Sequence, residues 1–268
     1  MKINILLLLY FFCLSCYNDQ KDSTLSISNQ QEEENELIPD GAISLLKHYK
    51  QIRKYKNNYL YFFDGDSLIF DDRIKKTYVD RLENPSISDQ FYDEYVLGEN
   101  FSKNRRFIDP GRYRNINFFK KIYGKTKDEV ENNLTTITWC PKTVNKKIRV
   151  TTINNVHLKL IEISKILDTM PKFTKYISNP AGTYNWRNVR NSNRLSMHSF
   201  GMTIDINVEN SNYWQWDCKC SDETKLINFK NQIPLELVMI FEKFGFIWGG
   251  KWYHYDTMHF EYRPELLT

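Results

Sequence analysis

The chain has 268 residues, of which 41% are hydrophobic and 15% aromatic, so it can bury a core and is not disordered as a whole. Ten glycines and eight prolines exclude collagen-like and low-complexity classes. The formal net charge of +4, from 37 basic and 33 acidic residues, is too small and too dispersed to indicate nucleic acid binding. At roughly 100–200 residues per domain, this length allows one domain or two small ones.

The N-terminus predicts export. Lys2 precedes an apolar run over residues 5–14, which is the size of a signal-peptide hydrophobic region and too short to span a bilayer. The run ends in Cys13-Leu14-Ser15-Cys16, which resembles a bacterial lipobox with Cys16 as the lipidated residue, although the cysteine at its first position departs from that motif. The alternative is an ordinary cleaved secretory peptide. We therefore predict an exported protein of the periplasm or cell envelope, anchored to the membrane, with residues 1–16 as signal peptide and lipobox.

Residues 17–40 are rich in Asn, Gln, Ser and acidic side chains and contain little that could be buried. This composition predicts a flexible tether. No other stretch of 18 consecutive apolar residues occurs, so no further membrane span is expected. A tether after a lipid anchor suits an enzyme held at a membrane surface.

The five cysteines do not make a disulfide framework in a chain of this length. Cys140 is expected to be a small buried residue. Cys218 and Cys220 form a C-x-C pair, whose spacing is short for zinc, and we interpret them as part of a surface loop. The alternative is a strained or labile disulfide between them.

Periodicity predicts helices and strands that are segregated along the chain rather than alternating as βαβ units. The predicted elements, in chain order, are a helix over 42–55, a strand over 58–63, a turn at 109–111, a helix beginning at 117–123, a strand over 147–154, a helix over 156–170 closed by Pro171, a strand over 203–208, a helix over 234–244, and strands over 246–250 and 258–262. This order favours an α+β fold with a small antiparallel sheet.

Three of the five histidines, His198, His254 and His259, lie in the last third of the chain. A hydrolytic zinc site needs three protein ligands and one open position. Asp205 follows His198 by one short turn and lies on the polar face of a strand whose other face is apolar, so the two side chains can converge from one side. His259, on another predicted strand, can supply the third ligand. This pattern predicts a His–Asp–His metal site.

Asp256 lies three residues before His259 and is a candidate general base, because a zinc-activated water needs a base that is not itself a ligand. The chain contains no H-E-x-x-H, which excludes a helical zincin site. The alternative interpretation is that the two histidines are ordinary strand-end residues and Asp256 is a turn residue. Glu261 is expected to turn away from His259 and to pair with Arg263.

Two segments resemble the M15 zinc peptidases. Residues 185–207 contain Ser196-Met-His-Ser-Phe-Gly-Met-Thr-Ile-Asp205, which is similar to that family's S-x-H-x-x-G-x-x-x-D signature. Residues 244–265 contain Asp256-Thr-Met-His259 and are similar to its second motif, in which Asp rather than Glu is typical of the family's subfamily C. The resemblance covers roughly residues 105–268, which we predict as the peptidase domain. Residues 41–104 are predicted as a helical and aromatic N-terminal extension.

The resemblance implies an α+β, hedgehog/DD-peptidase-like zinc peptidase fold, in which helices flank a small antiparallel sheet. It implies one Zn²⁺ per chain, with His198, Asp205 and His259 as ligands. It implies Asp256 as the catalytic base.

Arg187 matches the family's arginine that stabilises the oxyanion, and the alternative is a solvated surface arginine. Ser196 matches a serine near the substrate or the metal, and the alternative is a simple turn hydroxyl. His254 is a candidate substrate-binding residue, and the alternative is an exposed histidine with no catalytic part.

The family includes D-alanyl-D-alanine carboxypeptidases and L-alanyl-D-glutamate endopeptidases. The resemblance therefore implies a zinc-dependent peptidase that acts on peptidoglycan stem peptides, with the carboxypeptidase as first choice. The endopeptidase is the alternative, since both branches share these motifs. The competing class is a non-catalytic, zinc-containing lipoprotein that binds the cell wall, as hedgehog-type domains keep a zinc shell for recognition. An adhesin that uses residues 41–104 as its partner surface is a third interpretation.

Overall fold

The computed structural model describes residues 37–103, 105–190 and 192–267. The predicted signal peptide, Cys16 and most of the predicted tether lie outside the described residues. The α-helices of the described part are α1 (Asp40–His48), α2 (Tyr78–Glu83), α3 (Ile116–Tyr123), α4 (Lys127–Asn132), α5 (Val156–Leu167), α6 (Thr174–Ile177), α7 (Trp214–Cys218) and α8 (Leu235–Glu242). The strands are β1 (Ile52–Lys56), β2 (Tyr59–Phe62), β3 (Ser67–Ile69), β4 (Leu134–Trp139), β5 (Lys146–Thr151), β6 (Pro180–Gly182), β7 (Thr203–Asn207), β8 (Phe246–Trp248) and β9 (His259–Tyr262).

The strands form three small antiparallel sheets, with the orders β1-β2-β3, β4-β5 and β6-β7-β9-β8. Helices accompany these sheets, so the predicted α+β class is confirmed, and the architecture is compatible with the peptidase fold that the resemblance implies. The four-stranded sheet carries both sequence motifs. In it β7 and β9 pair so that Asp205 lies directly opposite His259.

Most predicted elements have observed counterparts, but the helix predicted over 42–55 is wrong in its second half. Helix α1 ends at His48, and the chain then returns as β1, which pairs with β2. Asn57 and Asn58 join the two strands with positive φ angles of 51° and 65°, which is the backbone of a tight hairpin turn. The turn lets β1 pair with β2. This pairing overrides the helical periodicity of the sequence over residues 52–56.

One hydrophobic core contains residues from both sides of the predicted boundary at residue 105. The ring of Tyr49, at the end of α1, contacts Phe118 of α3 edge-to-face, at 5.3 Å between centroids. The Tyr49 hydroxyl also donates a hydrogen bond to Glu265, at the other end of the chain. On β7, Ile204 and Ile206 are fully buried in the same core. Their burial leaves the intervening residue on the opposite face of the strand.

Cys140 is a free, buried cysteine, as predicted. Cys218 and Cys220 are joined by a disulfide, in agreement with the alternative interpretation of this pair. Within the described part of the chain, none of the helices combines the length and apolar character required to cross a membrane.

Candidate active site

The local structure of the first motif brings its two predicted ligands together. His198 lies in a short 3₁₀ helix, Met197–Phe200, and the Ser196 side chain accepts the hydrogen bond from its backbone N–H. Gly201 ends this helix with φ of +63°, where a Cβ would approach the Leu134 side chain to 2.7 Å. A glycine at this position therefore lets the chain turn closely against β4 and enter β7. Two residues into β7, Asp205 faces back toward His198.

His198, Asp205 and His259 form a compact cluster. One ligand atom from each lies within 4.8 Å of the others. The Nε2 atom of His198 is 3.1 Å from one oxygen of Asp205, and the Nδ1 atom of His259 is 2.9 Å from the other. The three side chains are 8%, 18% and 8% exposed, so the cluster is largely buried, and all three residues line one cleft. This arrangement can hold a metal ion.

Each imidazole is anchored through the nitrogen that faces away from the cluster. His198 Nδ1 donates to the backbone carbonyl of Thr183 at 3.1 Å. His259 Nε2 lies 3.2 Å from a carboxylate oxygen of Glu261. Histidines that bind metals have this kind of outer partner, which fixes the tautomer and the ring orientation.

Glu261 is the residue whose placement the sequence analysis predicted incorrectly. Residues two apart on a strand share a face, so Glu261 contacts His259 instead of turning away from it. The expected pairing with Arg263 is present, at 3.1 Å, and Arg114 adds a second ion pair at 2.6 Å. The Glu261 and Arg263 side chains are fully buried. The anchor of His259 is therefore itself held by two arginines.

The carboxylates and imidazoles of the cluster stabilise opposite charges on one another. Burial alone would raise the pKa of Asp205, but His198 and His259 outweigh it and hold that pKa far below its usual range. Burial lowers the pKa of His259, yet its hydrogen bonds to Asp205 and Glu261 raise it overall to about 10. Two carboxylates around one imidazole thus stabilise positive charge at this point.

Asp256 lines the same cleft as the cluster. Its backbone is fixed by a hydrogen bond from its N–H to the carbonyl of Gly249 and by a β-bridge to Tyr213. Its Oδ1 atom is buried and has no hydrogen-bond partner among the described residues. Burial, followed by the negative charge of Asp205, raises the pKa of Asp256 to about 7. A carboxyl group in this state is suited to accept a proton and to release it again.

The cleft has a volume of about 650 Å³. The other predicted site residues, Arg187, Ser196 and His254, also line it. Another cavity, of about 640 Å³, lies beside α1 and the β1-β2-β3 sheet and contains none of the predicted site residues. The described structure therefore brings all predicted catalytic, metal and substrate-binding residues to one place.

Arg187, Ser196 and His254 differ in how exposed their side chains are and in how many hydrogen bonds already hold them. The backbone of Arg187 is tied to the His198 turn through Ser199 and Ser196, whereas its side chain is exposed. Ser196 is buried and caps the 3₁₀ helix. His254 is 1% exposed, and its ring nitrogens contact Asp109 at 2.7 Å and the carbonyl of Glu223 at 2.9 Å. Both nitrogens of His254 are thus occupied within the protein.

Sequence reasoning assigned no role to four further arginines that line the cleft, Arg112, Arg114, Arg190 and Arg194. Arg112 belongs to the Asp109-Pro-Gly-Arg segment, which lies within the range of the resemblance but outside its two motifs. The signal available in the sequence was the density of arginines before the first motif. Their convergence depends on contacts between distant segments, which no local pattern shows.

Comparison with protein families gives a match in the last third of the chain. Residues 190–262 match a model of the M15 peptidases that is described as D-alanyl-D-alanine carboxypeptidase. The match supports the M15 family. It contains the cluster and Asp256, leaves out Arg187, and covers well under half of the chain. It supports a hydrolase of the peptidase class related to peptidoglycan.

No curated protein and no solved structure matches the chain.

Proposed function

We propose that the protein is a zinc-dependent peptidase that cleaves peptidoglycan stem peptides, with D-alanyl-D-alanine carboxypeptidase activity. The observation that carries this proposal is the convergence of His198, Asp205 and His259 within 4.8 Å, in one cleft with Asp256. The description of the matching family model supports the choice of substrate.

The residues of the cluster fit a zinc ion. Two imidazoles and one carboxylate are a common catalytic donor set for zinc, and three protein ligands leave a position open. Both histidines present an anchored ring to the cluster, and the buried Oδ1 atom of Asp256 lacks a partner within the described residues. When bound, zinc supplies Lewis-acid polarisation of a carbonyl group and lowers the pKa of a water molecule.

Side chains of the protein carry out the proton transfer and stabilise the developing charge. We assign to Asp256 the transfer of a proton from the attacking water to the leaving nitrogen, because its pKa lies near neutrality and its Oδ1 atom is uncommitted. We assign to Arg187 the stabilisation of negative charge that develops on the scissile carbonyl oxygen. The Arg187 side chain lines the cleft, and its backbone is hydrogen-bonded to the turn that carries His198. The guanidinium can therefore contact the substrate from a fixed backbone position.

Mass spectrometry of defined stem peptides after incubation with the full chain tests this function. We expect loss of a single terminal alanine, abolished by a chelator and restored by Zn²⁺. Release of the peptide after L-Ala would instead support the endopeptidase. Bound zinc without any cleavage would contradict the peptidase and support a binding protein.

Two variants make that test specific. Asp256→Asn is expected to retain zinc and to lose cleavage. Asp128→Asn, which changes an exposed aspartate outside the cleft, is the matched control and should cleave normally. Equal activity of the two variants would contradict the role of Asp256.

We further propose, on the sequence of residues 1–16 alone, that the protein is exported and anchored through a lipid on Cys16. Metabolic labelling with a radioactive fatty acid should mark the wild-type chain and not a Cys16→Ser variant. Secretion of an unlabelled, processed wild-type chain would support the cleaved signal peptide instead.

A further inference from the structure

The three-stranded sheet β1-β2-β3 has one face in the core and the other open to solvent. Successive residues of a strand point to opposite faces, and residues directly opposite each other in an antiparallel pair share a face. Leu60 of β2 is fully buried and lies opposite Tyr55 of β1 and Leu68 of β3. Both of these neighbours pack against the core. The residues between them therefore belong to the solvent side of the sheet.

The solvent side carries lysines beside large apolar and aromatic side chains. Lys54 of β1 lies opposite Tyr61 of β2, and the next pair on this face joins Lys56 to Tyr59. Tyr59 in turn lies opposite Ile69 of β3. This set is called the open face below, and its residues are Lys54, Lys56, Tyr59, Tyr61 and Ile69.

The open face exposes a continuous apolar and aromatic surface. Tyr59 and Ile69 are 40% and 47% exposed. The rings of Tyr59 and Tyr61 are 6.3 Å apart, and the Nζ atom of Lys54 lies 5.3 Å from the centre of the Tyr61 ring. Phe63, directly after β2, is 71% exposed. A surface of this kind, bordered by charged groups, is typical of a site that contacts a partner or a membrane.

The charge on and around the open face is positive. Residues 41–63 contain four lysines, one arginine and no acidic residue. All five basic side chains are exposed, and none of them forms an ion pair within the described ranges. The first acids that follow, Asp64 and Asp66, are already paired with Lys121. An exposed basic surface without counter-charges attracts an anionic partner.

The chemistry of the open face fits an anionic lipid surface. Tyrosine is enriched where hydrocarbon meets the headgroups, because its ring is apolar and its hydroxyl stays hydrated. Each lysine close to an anionic lipid surface strengthens binding by about fivefold. A small soluble anion would contact the lysines alone and leave the apolar part of the face uncovered. A membrane interface covers both.

The position of the sheet in the chain brings the open face within reach of a membrane. Residues 17–40 are predicted as a flexible tether that follows the proposed lipid on Cys16. A flexible chain of about 24 residues has a root-mean-square end-to-end distance of about 27 Å. Strand β1 begins at Ile52, after helix α1. The open face is thus among the first folded surfaces after the proposed anchor.

We propose that the open face docks on an anionic phospholipid surface. Tyr59, Tyr61 and Ile69 enter the headgroup region, and Lys54 and Lys56 contact lipid phosphates. Docking fixes the orientation of the protein at the membrane, which a flexible tether alone does not do. This inference goes beyond the proposed peptidase activity and does not depend on it.

Vesicle sedimentation tests the proposal with the full chain carrying Cys16→Ser, so that no lipid is attached. Vesicles with equal parts of phosphatidylglycerol and phosphatidylcholine are compared with vesicles of phosphatidylcholine alone. We expect this parent chain to prefer the anionic vesicles. Lys54→Gln combined with Lys56→Gln should weaken binding to them by roughly 30-fold, about fivefold for each lysine. The apolar run over residues 5–14 is the same in every variant, so differences between variants report the open face.

Lys142→Gln combined with Lys243→Gln is the matched control. Both lysines are exposed, lie outside the three-stranded sheet and have no ion pair within the described part of the chain. This double variant loses the same charge and should bind as the parent chain does. Equal binding by the two double variants would overturn the proposal. Equal binding of the parent chain to anionic and neutral vesicles would do the same.

The apolar contribution is tested by Tyr59→Thr combined with Ile69→Thr. Threonine suits a strand, and both replaced side chains are exposed, so we expect an unchanged melting temperature. Binding to both kinds of vesicle should fall, while the preference for the anionic kind should remain. Undiminished binding to both would contradict entry of the open face into the headgroup region.

Peptidoglycan is the competing partner for the same surface. Sedimentation with purified, lipid-free sacculi separates the two, using Lys54→Gln combined with Lys56→Gln. Loss of sacculus binding with normal vesicle binding would contradict the proposal and assign the open face to the cell wall. Loss of vesicle binding with unchanged sacculus binding supports it. Raising the salt from about 0.1 M to about 1 M should also abolish the preference for anionic vesicles, because the Debye length falls from about 10 Å to about 3 Å.

Discussion

Replacing Glu261 by Gln is expected to weaken zinc binding, although Glu261 is not a proposed ligand. One of its oxygens lies 3.2 Å from His259 Nε2 and 2.6 Å from Arg114, and the other lies 3.1 Å from Arg263. Gln has the same shape and lacks the charge. The variant therefore keeps the side chain in place and removes the carboxylate that orients His259 and raises its basicity.

The expected loss has two separable parts. Removing the outer partner of a metal-bound histidine typically lowers metal affinity by about 10- to 100-fold, which corresponds to about 1.4–2.7 kcal/mol. Breaking a buried ion pair costs about 3–5 kcal/mol of folding free energy, because Arg114 loses its carboxylate partner and Arg263 keeps only Glu265. Glu261 is fully buried and Arg263 likewise, so screening by solvent does not reduce this second cost.

Zinc affinity is measured by competition with a chromogenic chelator, and the free energy of unfolding by urea denaturation of the metal-free chain. Glu265→Gln is the matched control, because Glu265 is also buried and also pairs with Arg263, but it does not contact His259. We expect it to lower stability and to leave zinc affinity unchanged. Wild-type zinc affinity in Glu261→Gln, or an equal loss in both variants, would refute the positioning role.

Three further substitutions, with one exposed comparison variant, test the site and the fold around it. Asp256→Asn should lower kcat by about 10²- to 10⁴-fold with zinc content unchanged, and a kcat near that of the wild type would exclude it as the base. Gly111→Ala should lower the free energy of unfolding by about 1–3 kcal/mol, because its φ is +91° and a Cβ would clash with the buried Ile247 side chain; unchanged thermal stability would contradict this. Glu242→Gln should cost about 3–5 kcal/mol by urea denaturation, since it leaves the buried Lys251 without its counter-charge. The exposed Glu236→Gln should cost less than about 1 kcal/mol, and similar losses in the two variants would refute the distinction.

The local sequence was sufficient to predict the two strands that carry the site. Ile204 and Ile206 alternate with Asp205, so the apolar face of β7 fixes where the carboxylate points. The same rule places His259 and Glu261 on one face of β9, and applying it correctly would have predicted their contact. The core of the site thus follows from spacing along two short strands.

The outer part of the site could not be predicted in this way. Arg114 contacts Glu261 across 147 residues of sequence, and Tyr78 contacts His254 across 176. Such contacts depend on how the N-terminal segment packs against the four-stranded sheet. The error in the second half of the helix predicted over 42–55 has a related cause, because β1 is stabilised by pairing with β2 rather than by its own residues.

The central claim is that His198, Asp205 and His259 together hold one zinc ion. Anomalous diffraction at the zinc absorption edge, from crystals of the zinc-loaded chain, tests it most directly. We predict one anomalous peak per chain, about 2.0–2.1 Å from His198 Nε2 and His259 Nδ1 and about 2.0–2.2 Å from an oxygen of Asp205. A peak elsewhere, or no peak among these three side chains, would contradict the account.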